Sequence, residues 1–472
     1  LQQGKPVPVW GWADPGAKVT VEFAGQKKTA TAGVDGKWMV KLDPLPASAE
    51  PRELKIGGIV IRDVLVGEVW LGSGQSNMAM TVSGAENFEA EKAAATLPLV
   101  RMFKENSATA KTPQRDASGQ WAVCSPETVG TFSATLFFFG RELHRELKAP
   151  VGLINSSVGG TPIESWIDGE VQRQTPELKA FFDGQAKATA AVDEAKLKAD
   201  YEKALAQWKE RAAKAKKAGQ QMPRRPRDPL ETRKRKGDVG GLFNGKIAPL
   251  IPYAIRGALW YQGEANSHPG KGPFYQYHLP LLVSAWRARW GEDLPFAWVQ
   301  LPNYQRASEE WLLVREAMLK TLRLPRTGMA ITVDIGDPNN IHPKNKQEVG
   351  RRLSLWALGD VYGQKVAATS GPLPSGRETR DSEIILLFKH ADGGLKAKDG
   401  ELKGFVIAGE DKQWKPAQAR IKDDKVIVSS PEVKRPVAVR YAWATNPDCN
   451  LYNGAGLPAS PFRADDWPVP AE

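Results

Sequence analysis

The sequence predicts a central α/β domain, a parallel sheet with helices on both faces, set between two small β-sandwich-like domains. Short apolar runs such as Val151-Gly152-Leu153-Ile154 and Phe296-Ala297-Trp298-Val299 alternate with helical patterns through the middle of the chain, as buried parallel strands and their crossover helices do. Both ends instead carry short β-type runs between Gly- and Pro-rich turns. With 472 residues, 41% of them hydrophobic, the chain exceeds one small module and has room for about three domains.

The N-terminal domain, residues 1–62, shows Val7-Pro8-Val9-Trp10-Gly11-Trp12 and Val19-Thr20-Val21-Glu22-Phe23, then Gly33-Val34-Asp35-Gly36 as a hairpin signal before Trp38-Met39-Val40. A Pro-rich linker follows at 44–51. The central domain, 63–366, opens with the apolar run 64–71, read as one buried strand. A helix is predicted over 136–147, closed by Lys148-Ala149-Pro150, and further strands at 151–155, 255–261, 296–301 and 329–333. Within this domain a helical insertion, about 174–240, reads as one long helix on which Leu197, Tyr201, Leu205, Trp208 and Ala212 recur at three or four residues. Strand signals return in the C-terminal β domain, 367–472, at 383–388, 405–408, 419–421, 425–428 and 437–441.

The net charge of +11 invites a nucleic-acid reading, so its location matters more than its size. Residues 170–240 hold 18 Lys and Arg against 11 Asp and Glu, which is most of the excess. The basic runs Pro223-Arg224-Arg225-Pro226-Arg227 and Arg233-Lys234-Arg235-Lys236 carry no interleaved aromatics, so a solvated segment is favoured over a nucleic-acid partner. A lid over the site mouth and a contact to another subunit are both open roles for the insertion. No run approaches the roughly 18 apolar residues of a membrane span. Cys124 and Cys449 could form at most one bridge and lack metal-ligand spacing, and two unpaired buried thiols are expected. Neither a metal nor a cofactor is expected, since no two histidines have ligand spacing.

Chemistry concentrates in Gly72-Ser73-Gly74-Gln75-Ser76-Asn77-Met78-Ala79-Met80, which follows a buried strand and could open a helix. A serine at such a junction lies beside outward backbone N–H groups that can stabilise an oxyanion. An ordinary capped turn is the competing reading. The Gly-x-Ser-x-Gly elbow is absent. A nucleophilic serine needs a base, and the chain has five histidines. His144, His278 and His390 read as structural, and His268 as a weaker candidate. His342 follows a buried strand and precedes a helix beginning near Lys346, where α/β sites are built, so it is the expected base.

Four blocks carry a resemblance: Gly74-Gln75-Ser76-Asn77-Met78, Gly159-Gly160-Thr161-Pro162-Ile163-Glu164-Ser165-Trp166, Trp260-Tyr261-Gln262-Gly263-Glu264-Ala265-Asn266 and Ile341-His342-Pro343. In that order they resemble the sialate O-acetylesterase-like carbohydrate esterases of the SGNH hydrolase superfamily, which implies a three-layer α/β/α central domain. The resemblance implies that Ser76 attacks an acetyl ester and His342 takes its proton. It implies oxyanion donors at the Ser76 N–H, at Gly159 or Gly160, and at the side chain of Gln262 or Asn266. The superfamily's usual Asp three residues before the histidine is replaced here by Asn339, so the orienting acid is Glu264 first, Asp337 second, and a Ser-His dyad third. Trp166 and Trp260 are candidate sugar-stacking residues, with core packing the alternative. The implied substrate is an O-acetylated carbohydrate, either sialic acid or a hemicellulose such as xylan or xyloglucan. The reading from another class is a non-catalytic glycan-binding protein on a degenerate scaffold. Export to the periplasm or medium is expected, and the Leu1-Gln2-Gln3 start is consistent with a trimmed signal peptide.

Overall fold

In the computed structural model, which describes residues 1–190, 192–231 and 238–468, the apolar runs of the central domain form one seven-stranded sheet. The N-terminal strands are β1 (Val7–Trp12), β2 (Lys18–Phe23), β3 (Gln26–Thr31), β4 (Lys37–Leu42), β5 (Ser48–Ile56) and β6 (Ile59–Val66). The central strands are β7 (Glu68–Gly74), β8 (Leu97–Glu105), β9 (Gly119–Cys124), β10 (Val151–Ser157), β11 (Gly257–Tyr261), β12 (Phe296–Val299) and β13 (Thr327–Ala330). Their order is β13-β12-β11-β7-β10-β8-β9, parallel except for the antiparallel edge strand β9.

Successive side chains of a strand point to opposite faces, and here both faces are covered. Leu71, Ala258, Trp260, Phe296 and Trp298 enter one core, with helices α7 (Tyr275–Trp290) and α8 (Glu310–Thr321). Trp70, Leu259, Tyr261, Ala297 and Val299 enter the other, with α3 (Ala134–Leu147) and α9 (Lys346–Trp356). Three layers result. The remaining helices are α1 (Ser76–Ala79), α2 (Phe88–Ala93), α4 (Gly169–Arg173), α5 (Lys179–Ala190) and α6 (Glu194–Lys217). Helix α3 begins where Ser133 caps the Leu136 N–H, and ends where Lys148 turns left-handed. Among the described residues no helix is long and apolar enough to cross a membrane.

Three local readings change. The turn at Gly33–Gly36 is present, with Gly36 donating to Gly33, but the strands it joins lie in different sheets, because β4 pairs with β1 and β3 with β2. The run 64–71 is two strands, β6 in the N-terminal sheet and β7 in the central one. Their break falls at Gly67, where a Cβ would lie 2.0 Å from the Pro150 carbonyl oxygen. The insertion is not one helix but α5 and α6, the second starting afresh where Asp193 caps the Lys196 N–H. The basic run Arg233-Lys234-Arg235-Lys236 lies outside the described residues.

The C-terminal part is all β. The predicted runs appear as Glu383–Lys389, Phe405–Ala408, Gln418–Lys422, Lys425–Ser429 and Ala438–Tyr441, set into two four-stranded sheets over a shared core that includes Leu386, Ile407, Val428 and Tyr441. Cys124 is buried and Cys449 partly so, and both are free thiols.

Candidate active site

Strand order reverses around β7, since the chain runs from it to β8 and β10 on one side and then to β11 on the other. In open α/β sheets, loops at the carboxyl ends of strands beside such a reversal form a crevice. Here the loops after β7, β10, β11 and β13 bring together Ser76, Gly159, Glu264 and His342.

Ser76 starts α1 two residues after a glycine the geometry demands. Gly74 has φ +136°, and a Cβ there would stand 2.2 Å from the Tyr261 carbonyl oxygen, so only glycine lets β7 close on β11 while the chain turns. The Gln75 N–H donates to that same carbonyl at 3.0 Å, and its Oε1 accepts the Ala265 N–H at 3.1 Å. As the first residue of a helix, Ser76 has no intrahelical acceptor for its N–H. Gly159 lies against it: a Cβ on Gly159 would sit 3.5 Å from the Ser76 Cβ.

The Nε2 atom of His342 lies 2.8 Å from Ser76 Oγ. The histidine loop is shaped by its own polar residues, the His342 N–H donating to Asn340 Oδ1 at 3.0 Å. Burial, then the positive charge of Lys346, hold the imidazole below its ordinary pKa, which favours the neutral form a base requires.

Neither expected acid is hydrogen-bonded to that ring. Glu264 Oε1 accepts from Asn77 Nδ2 at 2.5 Å, and burial raises the carboxyl's pKa against the opposing pull of that hydrogen bond. The Asp337 carboxylate caps the Asn339 N–H at 2.8 Å within its own turn. Among the described residues no carboxylate is hydrogen-bonded to the His342 ring, so the structure gives Glu264 to Asn77 and Asp337 to its loop.

The expected side-chain oxyanion donors are likewise committed elsewhere. Gln262 Nε2 donates to the Thr161 carbonyl at 3.2 Å and to Asn266 Oδ1 at 2.7 Å, which uses both of its hydrogens. Asn266 accepts the Ile163 N–H and donates to Glu164 Oε2, each at 2.9 Å. Both residues are fully buried and hold the Gly159-Gly160 loop from behind.

The tryptophans belong to the same scaffold, which corrects their reading as sugar platforms. Trp166 and Trp260 have no exposed surface and meet edge to face, so neither can stack on a ligand. Trp166 Nε1 donates to Thr161 Oγ1 at 3.0 Å, and Thr161 Oγ1 to the Val158 carbonyl at 2.7 Å, bracing the strand of loop beside Ser76. His278 is buried on α7 and His144 bonds the Ala149 carbonyl, away from the site. Two side chains that the sequence reading left unassigned, Asn77 and Lys346, stand at the centre. Asn77 sits inside the quoted serine block, whereas nothing local marks Lys346.

A layered α/β scaffold with a serine and a histidine in contact above the strand ends is an arrangement compatible with a hydrolase. Residues 66–211 and 245–357 match the family described as SASA, carbohydrate esterase, sialic acid-specific acetylesterase, and the chain belongs to that family. Mouse sialate O-acetylesterase is 30% identical over 97% of this chain and 90% of its own length. The human sialate O-acetylesterase is 29% identical over 97% of this chain and 88% of its own. The crystal structure of a carbohydrate acetylesterase from Xanthomonas citri is 34% identical and superimposes with a TM-score of 0.82, covering 99% of this chain and 97% of that one.

Proposed function

We propose that the protein is a serine O-acetylesterase of SGNH type that removes acetyl groups from sugars through an acyl-enzyme. The observation that carries this reading is the 2.8 Å contact between His342 Nε2 and Ser76 Oγ, with Gly159 beside the serine. His342 accepts the hydroxyl proton as Ser76 Oγ bonds to the acetyl carbon. The negative charge passes to the carbonyl oxygen, toward the backbone N–H groups of Ser76 and of Gly159 or Gly160. Collapse of the intermediate breaks the bond to the sugar oxygen, which leaves with the proton from His342. Water then attacks the acetyl-serine with His342 again as base, releasing acetate and restoring the hydroxyl.

The site works as a Ser-His pair whose imidazole is oriented by its loop rather than by a carboxylate on the ring. The relatives named sialate O-acetylesterase favour O-acetylated sialic acid, with acetylated hemicellulose as the competing sugar class. A substrate of either kind suits action outside the cytoplasm. Acetate release by wild type and Ser76→Ala, measured in parallel on O-acetylated sialic acid, acetylated xylan and an aryl acetate, tests the reading. Release lost in Ser76→Ala establishes the serine esterase, and the ranking of substrates names the sugar. Absence of release from all three by folded protein rejects it in favour of glycan binding without turnover.

A further inference from the structure

Asn77 and Lys346 are fully buried polar side chains directly behind the serine and histidine, and the acyl transfer above does not use them. Asn77 follows Ser76, and its Nδ2 donates both to Glu264 Oε1 at 2.5 Å and to the Ile341 carbonyl at 3.0 Å. Ile341 precedes His342. One amide therefore ties the residue after the serine to the residue before the histidine. On its other side Lys346, the first residue of α9, donates to Asn77 Oδ1 at 2.7 Å, with its Nζ 5.0 Å from the centre of the Tyr261 ring.

We propose that Asn77 is a positioning residue for the esterase reaction, its amide clamping the Ser76 and His342 loops in register while Glu264 and Lys346 hold it from either side. The proposal rests on the Ser76–His342 reading. Glu264 then acts through Asn77 and not on the imidazole. The charges on either side dictate the amide's orientation. A flipped Asn77 would turn its NH2 toward the ammonium and its oxygen toward the carboxylate, so only the observed orientation gives the ammonium an acceptor and the carboxylate a donor and still offers a hydrogen to Ile341. An ion pair bridged by an amide thus fixes the direction of a third hydrogen bond, the one that sets the histidine loop.

The groups facing His342 are the Ser76 hydroxyl and the Lys346 ammonium, with the Glu264 carboxyl beyond Asn77 and the Tyr261 phenol beneath Lys346. Burial pulls Lys346 down to about 7, against the pull of Glu264, and Lys346 in turn lowers His342. The clamp therefore also places a positive charge where it disfavours imidazolium.

Steady-state kinetics on an aryl acetate across pH, with thermal melts, would test Asn77→Ala, Lys346→Met, Glu264→Gln and Ser76→Ala. Asn77→Ala should lower kcat roughly 10- to 100-fold with KM little changed, because loosening the pair by about 1 Å carries a penalty of that order. Lys346→Met should move the acid limb of kcat/KM to higher pH, a readout that a merely structural lysine would leave in place. Glu264→Gln keeps an acceptor for Asn77 and should retain most of kcat, whereas loss of an acid on the imidazole would cost about 10⁴-fold. An Asn77→Ala enzyme at the wild-type rate, or a Glu264→Gln loss of the triad size, overturns the proposal. Should Asn77→Ala not fold, an acid limb in Lys346→Met that stays put or moves to lower pH overturns it instead. Turnover surviving in Ser76→Ala would sink the underlying serine reading, while an inactive Ser76→Ala beside an unimpaired Asn77→Ala removes only the clamp.

Discussion

Replacing Trp166 with alanine separates a scaffold tryptophan from a sugar platform. Trp166 has no exposed surface and meets Trp260 edge to face at 6.0 Å between centroids, and Trp260 meets Trp286 likewise at 6.2 Å. A buried aromatic side chain of this size hides about 150–250 Å², worth about 4–6 kcal/mol at about 25 cal/mol per Å². Core Trp→Ala changes cost about 3–5 kcal/mol. The lost indole N–H bond to Thr161 adds at most about 1 kcal/mol, because Thr161 keeps its own bond to the Val158 carbonyl. A destabilisation of about 4–5 kcal/mol follows, which is a large part of the roughly 5–15 kcal/mol of a typical domain. Urea unfolding reads it as a lower midpoint at unchanged slope. Because Trp166 braces the loop beside Ser76, kcat should fall alike on sugar and aryl esters. A wild-type midpoint combined with a raised KM confined to sugar esters would refute the scaffold assignment and return Trp166 to the substrate.

Gly74→Ala should impair both folding and turnover, since the new Cβ meets the Tyr261 carbonyl at 2.2 Å and forces β7 from β11; backbone strain alone contributes roughly 1–3 kcal/mol. A variant with wild-type melting and rate would contradict that packing. For wild type, kcat/KM should persist as pH falls through about 6.5, the ordinary histidine value, because the lowered pKa of His342 keeps the base neutral there. An acid limb above that value would count against the assigned environment. His278 is buried edge-on against Phe181, and burial lowers its pKa to about 4 although Glu164 opposes the shift. The unfolded chain therefore binds a proton that the folded one refuses, and stability is lost as pH falls from about 6.5 toward 4, by about 2–3 kcal/mol at pH 4.5. His278→Leu should remove that acid sensitivity, and urea midpoints at pH 7 and 4.5 that drop equally in both proteins would reject it.

What the sequence made legible follows the reach of its signals. Buried strands such as β10, β11 and β12 are local apolar runs, so pattern alone locates them, and Ser76 and His342 lie in the connections that follow β7 and β13, where the periodicity breaks. Strand β14 (Leu373–Arg380) is polar along most of its length and largely exposed, so no apolar period marks it. Pairing is also non-local. The same turn at Gly33–Gly36 could close a hairpin or join two sheets, and the choice lies in the partner β4 finds in β1, not in the turn itself.

The site divides along the same line. The base is recognisable by residue type, because the chain has five histidines, and the nucleophile by the glycine-flanked block that follows a buried strand. Their supports are recognisable only by contact, and the contacts of Asn77 span 187 residues to Glu264, 264 to Ile341 and 269 to Lys346. A glutamate in the third block has the chemistry of a triad acid, and sequence has no means of telling a carboxylate on an imidazole from one on an amide that neighbours it. The sequence assigns Trp166, Trp260 and Gln262 to the ligand for a similar reason. Residues packed one layer behind a site sit in the same blocks as those that face it, because the loop that presents Gly159 to Ser76 must itself be held from behind. Burial decides between the two, and burial is a property of the assembled layers. The positions where residue type and contact disagree, Glu264 above all, are therefore where substitution is most informative about how the Ser-His pair is kept in place.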